Sequence, residues 1–520
     1  MSGENDTLRP AINPWIIAIA VMMSTFMEVL DTTVVNVSLP HIAGSLSATA
    51  DEATWTLTSY LVSNAIILPL TGWLANHFGR KRLLLTSVSG FTAASFLCGL
   101  APTLPFLILM RILQGAFGGG LQPLSQAILL ESFKPEDRGK AMGFWGLGIV
   151  VAPMLGPVLG GWLTDQYTWR WVFYINVPIG VLALVMTTLF IFDPPYIRRT
   201  SESIDYWGIG MLAVGIGTLQ VLLDKGQEND WFGSHLIVAM AVISTLAIIG
   251  FIIYELVVAH PVVDLRVFKN TTYATGAFLM AILGVGLYGS TVLVPLVLQL
   301  LFGYTALQAG IVMMPRGLGS FFAMPFVGAI MTKFDGRKLL AIGMVTCGVV
   351  LYMVSNLSLS ASGWNYGLPL LAMGFALGFL FVPLTTITMD PIPNEGMGNA
   401  TSLFNLVRNV GGSIGIAAVT TMQIRAAQVY TNVLGRNVSV YKPGTQLALG
   451  QIRRTLAARG SDPFPAPHRA DALLFGMVQQ QAGMLAYNDV FRVLAALFFL
   501  MLPFIFLMRK PKASRGVSMH

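Results

Sequence analysis

Long apolar runs separated by short polar segments dominate the chain. An α-helix needs about 20 mostly apolar residues to cross a bilayer, and fourteen runs approach that length. They lie near residues 15–37, 55–75, 83–101, 105–130, 140–163, 172–192, 206–223, 235–257, 272–301, 309–331, 339–357, 366–389, 400–423 and 488–508. An even number of spans places both termini on one side. The pattern therefore predicts an all-α integral membrane protein with fourteen spans.

The positions of lysine and arginine predict which side of the membrane the termini occupy. Short loops on the terminal side hold most of these residues, whereas short loops on the other side hold only Arg170 and Lys225. Those on the terminal side are Arg9, Arg80, Lys81, Arg82, Lys134, Arg138, Lys140, Arg198, Arg199, Arg266, Lys269, Lys333, Arg337, Lys338, Arg509, Lys510, Lys512 and Arg515. Because basic loops remain in the cytoplasm, we predict that both termini are cytoplasmic. The formal charge of +7 then reflects topology rather than a nucleic-acid surface.

Composition excludes several classes of protein. Charged residues make up 11% of the chain and mean hydropathy is +0.70, whereas about a quarter of the residues in a soluble protein are charged. Cys98 and Cys347 lie inside apolar runs, which leaves no disulfide framework or zinc set. Residues 284–289 (GVGLYG) spell a dinucleotide fingerprint inside a predicted span with no strand before it, so we reject that interpretation. The chain also lacks a phosphate-binding loop motif, so we do not expect ATP to drive it directly.

An internal repeat divides the chain. Residues 72–82 (GWLANHFGRKR) and 328–338 (GAIMTKFDGRK) each join two predicted spans and are 256 residues apart. The pairs at 123–124 and 383–384, both Pro-Leu, recur at an offset of 260. We therefore predict two six-helix halves, residues 1–200 and 263–520, with two inserted transmembrane helices at 201–262. Parallel six-span repeats that share a central site are the architecture of major facilitator transporters.

Three motifs resemble signatures of the major facilitator superfamily. Residues 72–82 are similar to its loop 2–3 signature, residues 110–115 (MRILQG) to its span-4 signature, and residues 143–161 to its span-5 antiporter motif. The chain departs from these signatures at Asn76, which replaces an acid, and at Ala152, which replaces a glycine. The resemblance implies gating or structural roles for Gly72, Gly79, Arg80, Lys81, Arg82, Gly143, Pro153, Gly156, Pro157, Gly160 and Gly161.

Two further segments resemble the fourteen-span drug:proton antiporter branch of that superfamily. They are residues 30–40 (LDTTVVNVSLP) and residues 170–180, which contain INVPIG. The resemblance implies a proton-coupled antiporter of the bacterial inner membrane that exports hydrophobic drugs by alternating access and confers antibiotic resistance. It implies no enzyme activity and no cofactor besides the coupling proton. It also implies a periplasmic adaptor and an outer-membrane channel as partners in a tripartite efflux system.

Charged residues inside predicted spans are the candidates for proton coupling. Glu28 and Asp31 lie mid-span, three residues apart, and share a helix face with Ser24. Carboxylates inside a membrane are costly and usually functional, and two close acids titrate as a coupled pair. Arg111 in span 4 cannot lose its proton, so it must pair or stay hydrated. The alternatives are that both acids are structural and that Arg111 only braces its helix.

Other polar residues inside spans are candidates for a substrate cavity. They are Ser24, Asn36, Gln114, Arg316, Asn405, Arg408 and Asn409. Bracing between helices is the alternative for the arginines and asparagines, because polar interhelical bonds are common in membranes.

The segment at about 424–487 is predicted to be a long extracytoplasmic loop in the second half. It contains a helix-compatible stretch at 445–459, a proline-rich break at 461–467 and an amphipathic stretch at 471–486. Loops of this length are usually functional or disordered. We expect the adaptor to dock here, at Leu473, Leu474 and Met477, although a solvated spacer or a cap over the outer cavity would fit the same pattern.

Three other functions fit parts of this picture. An exporter or symporter of one metabolite could use the same fold, and a non-transporting sensor could as well, because fold does not determine function. A membrane-embedded transferase should show clustered acids or histidines at the membrane face, whereas the six histidines are scattered.

Overall fold

The computed structural model describes residues 13–193, 205–439, 441–458 and 466–508. Every regular element in this part of the chain is helical, which confirms the prediction of an all-α protein. The predicted basic residues at 9, 198, 199 and beyond 508, and most of the proline-rich break at 461–467, lie outside the described residues.

Seventeen α-helices occur in the described ranges. They are α1 (Pro14–Ser45), α2 (Ala50–Phe78), α3 (Arg80–Gly99), α4 (Leu104–Gly118), α5 (Leu121–Ser132), α6 (Arg138–Gln166), α7 (Trp171–Tyr174), α8 (Asn176–Phe190), α9 (Tyr206–Lys225), α10 (His235–Val257), α11 (Thr271–Leu296), α12 (Ala306–Ile330), α13 (Gly336–Val354), α14 (Gly363–Met389), α15 (Met397–Gly435), α16 (Pro443–Ala458) and α17 (Ala466–Met501).

Thirteen helical segments among the described residues are long and apolar enough to cross a membrane. Two of them combine neighbouring helices, α4 with α5 as Leu104–Ser132 and α7 with α8 as Trp171–Phe190. The predicted span at 400–423 falls within α15, which is not one of the thirteen. The count of fourteen spans, the cytoplasmic termini and the domain boundaries therefore stay predictions.

Local sequence explains where several helices begin and end. Thr49 caps α2 in a capping box, because its hydroxyl accepts from the Glu52 amide while the Glu52 carboxylate accepts from the Thr49 amide. At the other end of α2, Gly79 has φ +89° and leads directly into α3. A side chain there would be strained by that φ, and its Cβ would lie 2.7 Å from Asp193 Oδ2. This tight turn therefore requires a glycine.

We call α1–α8 the first half and α11–α17 the second half, and they meet closely at one end of the bundle. We call this the basic end, because the loops with Arg80, Arg138 and Arg337 lie there. A Cβ on Gly139 of α6 would lie 3.4 Å from the Gly328 carbonyl oxygen of α12, and one on Gly72 would lie 2.7 Å from Asn399 of α15. The bundle is therefore closed at its basic end.

Contacts between the two halves continue to the middle of the bundle. A Cβ on Gly143 would lie 2.5 Å from the Met324 carbonyl oxygen, and one on Gly317 would lie 2.4 Å from Met154 Sδ. Farther from the basic end on the same two helices, a Cβ on Gly161 of α6 or Gly310 of α12 would meet nothing within 4 Å. Close packing between these helices is thus shown for the basic end and the middle.

Helix α9 bridges the two halves, and we call it the bridging helix. The Asp224 carboxylate of the bridging helix accepts a hydrogen bond from the Thr58 hydroxyl of α2. The next residue, Lys225, donates through Nζ to Thr54 Oγ1 of α2 at 2.6 Å. These bonds link the inserted pair, α9 and α10, to the first half.

The same inserted pair also bonds to α15 of the second half. Ser413 Oγ donates to Gln220 Oε1 at 3.0 Å, and Trp231 Nε1, just after α9, donates to Thr421 Oγ1 at 3.0 Å. The inserted helices therefore cover the seam between α2 and α15.

The segment predicted as a long loop is largely helical. Helix α15 continues to Gly435, and α16 (Pro443–Ala458) agrees with the helix predicted over 445–459. The amphipathic stretch at 471–486, predicted to lead into the last span at 488–508, is continuous with that span. They share the single helix α17 (Ala466–Met501), because no helix-breaking residue separates them.

Candidate functional site

Asp31 lies at the centre of a fully buried polar cluster in the first half. Arg111 Nη1 lies 2.5 Å from Asp31 Oδ2. Gln114 Nε2 donates to Oδ1 at 2.9 Å, and Asn176 Nδ2 donates to the same oxygen at 2.7 Å. Helices α1, α4 and α8 meet through these side chains. Both carboxylate oxygens are therefore engaged, and the charge is balanced within one half.

Arg111 makes further contacts that hold this cluster in place. Its Nε donates to the Thr56 carbonyl oxygen at 2.9 Å, and its Nη1 donates to Gln114 Oε1 at 2.8 Å. The guanidinium carbon lies 4.2 Å from the centroid of the Tyr60 ring, a cation–π distance. Arg111 thus both pairs with Asp31 and braces α4 against the backbone of α2, the two arrangements considered from the sequence.

Sequence reasoning missed Asn176. Its Nδ2 bonds to Ser95 Oγ at 3.0 Å as well as to Asp31, so it links α8, α3 and α1. The signal that could have found it is an amide at the start of an apolar run, inside the motif at residues 170–180. A lone amide in a membrane needs partners just as a carboxylate does.

Glu28 is buried one turn before Asp31, yet it belongs to a different network. Asn64 Nδ2 donates to Glu28 Oε1 at 3.0 Å. Within the described residues, Oε2 has no partner at hydrogen-bond geometry. The Gln122 amide and the Arg408 guanidinium lie close enough to interact with this carboxylate. Glu28 therefore faces the second half, whereas Asp31 is enclosed within the first.

Arg408 and Asn405 of α15 cross to α5 of the first half. Arg408 Nη2 donates to Gln122 Oε1, and Asn405 Nδ2 donates to Gln126 Oε1 at 2.6 Å. Arg408 and Asn405 are buried, and Arg408 Nε has no partner among the described groups. We call the set the central polar seam; its members are Glu28, Asn64, Gln122, Gln126, Asn405 and Arg408.

Four of the predicted cavity residues are not brought into either network by their hydrogen bonds, and one of them, Arg316, bonds only to α11. The Ser24 hydroxyl donates to Ala20 O at 3.4 Å, within its own helix. Asn36 is exposed, and its amide donates to Thr32 O at 3.0 Å. Asn409 is half-buried next to Arg408. Helical rotation separates these side chains from residues only a few positions away.

The motif residues at the basic end bond within and between halves. Arg80 forms a buried ion pair with Glu131, and the Lys81 backbone amide donates to Asp193 Oδ1 at 2.8 Å. Arg82 is exposed. Both bonds lie within the first half, where they hold α3 against its neighbours.

One bond at the basic end crosses between the halves. Arg138 at the start of α6 donates through Nη2 to Asn394 Oδ1 at 3.2 Å and through Nε to Leu130 O at 2.9 Å. Together with the close approach of Gly72 to Asn399, this contact joins the two halves at the basic end.

The glycines of the span-5 motif differ in what they contact. A Cβ would lie 2.2 Å from Thr33 Oγ1 at Gly156 and 2.8 Å from Val34 O at Gly160, so these two allow α6 to pack tightly on α1. Gly161 has open space around it, so packing does not require a glycine there. Pro153 and Pro157 lie inside α6, which continues through both.

The three residues expected to dock an adaptor lie on α17. Leu473 and Met477 are 50% and 59% exposed, and Leu474 is partly buried. Phe475 beside them is 54% exposed. The structure thus presents an apolar surface at this position.

Within the described ranges, no group of three or more His, Cys, Asp or Glu side chains could hold a metal ion.

Comparisons with known proteins agree with this architecture. A family model described as "Major Facilitator Superfamily" matches residues 21–416. The multidrug export protein EmrB of Haemophilus influenzae is 39% identical over 440 residues, 84% of this chain and 86% of that protein. EmrB of Escherichia coli K12 is 35% identical over 506 residues, 96% of each chain. The structure of the proton:xylose symporter XylE, 15% identical, covers 94% of this chain and 96% of its own with a TM-score of 0.59, which shows a shared fold. The chain therefore belongs to the Major Facilitator Superfamily, a family of membrane transporters rather than enzymes, as its motifs predicted.

Proposed function

We propose that the protein exports hydrophobic drugs or toxic compounds across the bacterial inner membrane in exchange for protons, by alternating access. Family membership and the similarity to EmrB multidrug export proteins support drug export. The observation that carries proton exchange is the Glu28 carboxylate in the central polar seam. It is buried, has one unbonded oxygen and faces Arg408 of the other half.

The two acids of α1 have different roles in this proposal. Protonating Asp31 would disrupt bonds to Arg111, Gln114 and Asn176 within one half. Glu28 accepts one well-formed hydrogen bond, from Asn64, and its other oxygen has only the Gln122 amide and Arg408 nearby, so it can take a proton without dismantling its own half. Glu28 is therefore the proton-exchanging group, while Asp31 with Arg111 positions α1, α4 and α8.

Protonation of Glu28 changes the attraction between the halves. The ionised carboxylate attracts Arg408 across the seam, and this attraction is strong where water is excluded. A proton on Glu28 removes the negative charge and with it this attraction. At the seam the halves are then held only by the described bonds from Arg408 to Gln122 and from Asn405 to Gln126, so they separate more readily. A bound substrate in the seam competes for the same groups, so proton uptake and substrate release are linked.

Proteoliposomes with an imposed pH gradient test this function. We expect uptake of several unrelated lipophilic compounds to follow the gradient and to stop when a protonophore collapses it. Transport of one compound alone would favour the alternative of a specific metabolite transporter. Binding without movement of any compound would favour a sensor.

We propose further that α17 docks a periplasmic adaptor, which would connect the transporter to an outer-membrane channel. The support is the exposed apolar pair Leu473 and Met477, which lie one turn apart on the same face of α17. Apolar patches that remain exposed on a protein commonly mark a binding site for a partner.

A paired substitution tests the docking surface. Leu473→Ser with Met477→Ser should abolish co-purification with the adaptor while pH-driven transport in proteoliposomes stays within about twofold, because interface side chains such as these carry binding energy rather than transport. Leu447→Ser on α16, where Leu447 is 69% exposed, is the matched control and should retain the adaptor. Full adaptor binding by the paired variant would leave this region as a spacer or a cap.

A further inference from the structure

Arg316 of α12 is a buried cation that the proposed mechanism does not use. The residue is 8% exposed. Its Nη1 donates to Thr291 Oγ1 at 3.0 Å, and its Nη2 donates to Leu287 O at 3.4 Å. Both acceptors are neutral groups of α11. Among the described residues, no carboxylate pairs with this guanidinium.

The internal repeat identifies the residue of the first half that corresponds to Arg316. The offset of 256 residues that relates the two loop motifs takes Tyr60 to Arg316. The structure repeats this relation, because a Cβ on Gly115 would lie 2.3 Å from the Tyr60 carbonyl oxygen, and one on Gly374 would lie 2.0 Å from the Arg316 carbonyl oxygen. Arg316 therefore stands where Tyr60 stands in the first half.

In the first half, this place adjoins a balanced pair of charges. Tyr60 lies against Arg111, which is paired with Asp31. In the second half, Arg316 instead bonds to the backbone and a hydroxyl of α11, at Leu287 and Thr291. The second half thus has a buried cation where the first half has a tyrosine beside a balanced pair of charges.

A buried guanidinium without an anion is costly, because the charge loses hydration that neutral acceptors replace only in part. A carboxylate supplied from outside would balance it, and the planar fork of an arginine suits two carboxylate oxygens. The Thr291 hydroxyl accepts from Arg316 and donates to Leu287 O at 2.6 Å, and by rotating it can turn this proton to the bound carboxylate as a third bond. The site is also next to the meeting of the halves, since the following residue, Gly317, lies against Met154 of α6.

We propose that Arg316 and Thr291 form a second substrate site, which binds the carboxylate of an amphiphilic organic anion. This inference rests on the proposed export function and adds a substrate class to it. The site has the opposite charge to Glu28 and lies in the other half. One transporter can thereby accept hydrophobic anions at Arg316 and neutral or cationic compounds at the central polar seam.

Equilibrium binding tests the site without depending on transport. The protein is reconstituted in lipid nanodiscs, and the probes are pyrenebutanoate and pyrenebutyl-trimethylammonium, which share a ring and chain but differ in charge. Pyrene fluorescence, corrected for empty nanodiscs, reports binding. Arg316→Gln should weaken pyrenebutanoate binding by about tenfold or more, the size expected for a charge-assisted pair, and leave the ammonium probe unchanged.

Two further variants keep the test decisive if the glutamine variant does not fold. Arg316→Lys keeps the charge and should retain most carboxylate binding, whereas Thr291→Val should weaken it by about threefold through loss of one hydrogen bond. Equal binding of pyrenebutanoate by wild type, Arg316→Gln and Thr291→Val would overturn the site. Carboxylate binding that depends on Arg316 in a protein that fails to export would instead refute the proposed function and leave the binding site standing.

Discussion

Export driven by an imposed pH gradient should fall by about tenfold or more in Glu28→Gln, because an amide of the same shape cannot exchange the proton that couples transport. Exchange of labelled for unlabelled substrate, without a gradient, should continue, since the other residues of the central polar seam and the contacts at the basic end remain. The measurement is initial uptake in proteoliposomes under both conditions. Loss of gradient-driven uptake with retained exchange is the expected signature of uncoupling.

Glu255→Gln provides the matched control. Glu255 is a buried acid of α10, outside the central polar seam, and its carboxylate accepts from the Val263 amide. This variant should couple as wild type does. Wild-type uptake by Glu28→Gln under the gradient would place proton exchange elsewhere, with Asp31 as the next group to examine.

Asp31→Asn should strongly destabilise the protein, by about 3–5 kcal/mol, because it leaves Arg111 fully buried without an anion. The measurement is the temperature at which detergent-solubilised protein loses its monodisperse peak, which reports kinetic stability when unfolding is irreversible. Glu28→Gln, one turn away, should change this temperature far less, because Glu28 forms no ion pair with a residue of its own half.

A double variant separates positioning from proton transfer at Asp31. Asp31→Asn combined with Arg111→Met removes both charges, so the pair should be more stable than Asp31→Asn alone, a non-additive result. Recovery of stability together with measurable gradient-driven export would fit a positioning role. A stable double variant with exchange but no gradient-driven export would instead make Asp31 a proton carrier.

The hydrophobic pattern predicted the helical bundle well. Thirteen helical segments among the described residues are long and apolar enough to cross a membrane, and each overlaps a predicted span. It failed where helices leave the apolar region. The polar residues after 423 carry no span signal, yet α15 continues to Gly435 because nothing interrupts its backbone hydrogen bonds. The residues around Asn488 include no glycine or proline, and α17 accordingly runs without a break from the amphipathic stretch into the last span.

For the site, charge was predictable but orientation was not. The sequence predicted that Arg111, a charge inside a span, would pair with an acid or stay hydrated, and in the structure it pairs with Asp31. Residues three apart on a helix share a broad face yet differ by about 60° in direction, which is enough to send Glu28 toward the second half and Asp31 into the first. Which helix stands opposite each direction depends on tertiary packing. The amides of Asn64, Gln122 and Asn176 were missed because each lacks a charge and has no partner close in sequence.

The bridging helix makes the two sides of the transporter unequal. Between α2 and α15 the inserted pair is bonded to both halves, near Thr54 and Thr421, whereas α6 and α12 face each other directly. Halves tied along one side can swing apart most readily on the other. A hydrophobic molecule moving sideways out of the bilayer would then reach the interior between α6 and α12. The two inserted helices thereby make the α2–α15 side closed to the bilayer and the α6–α12 side the one by which lipid-dissolved molecules enter.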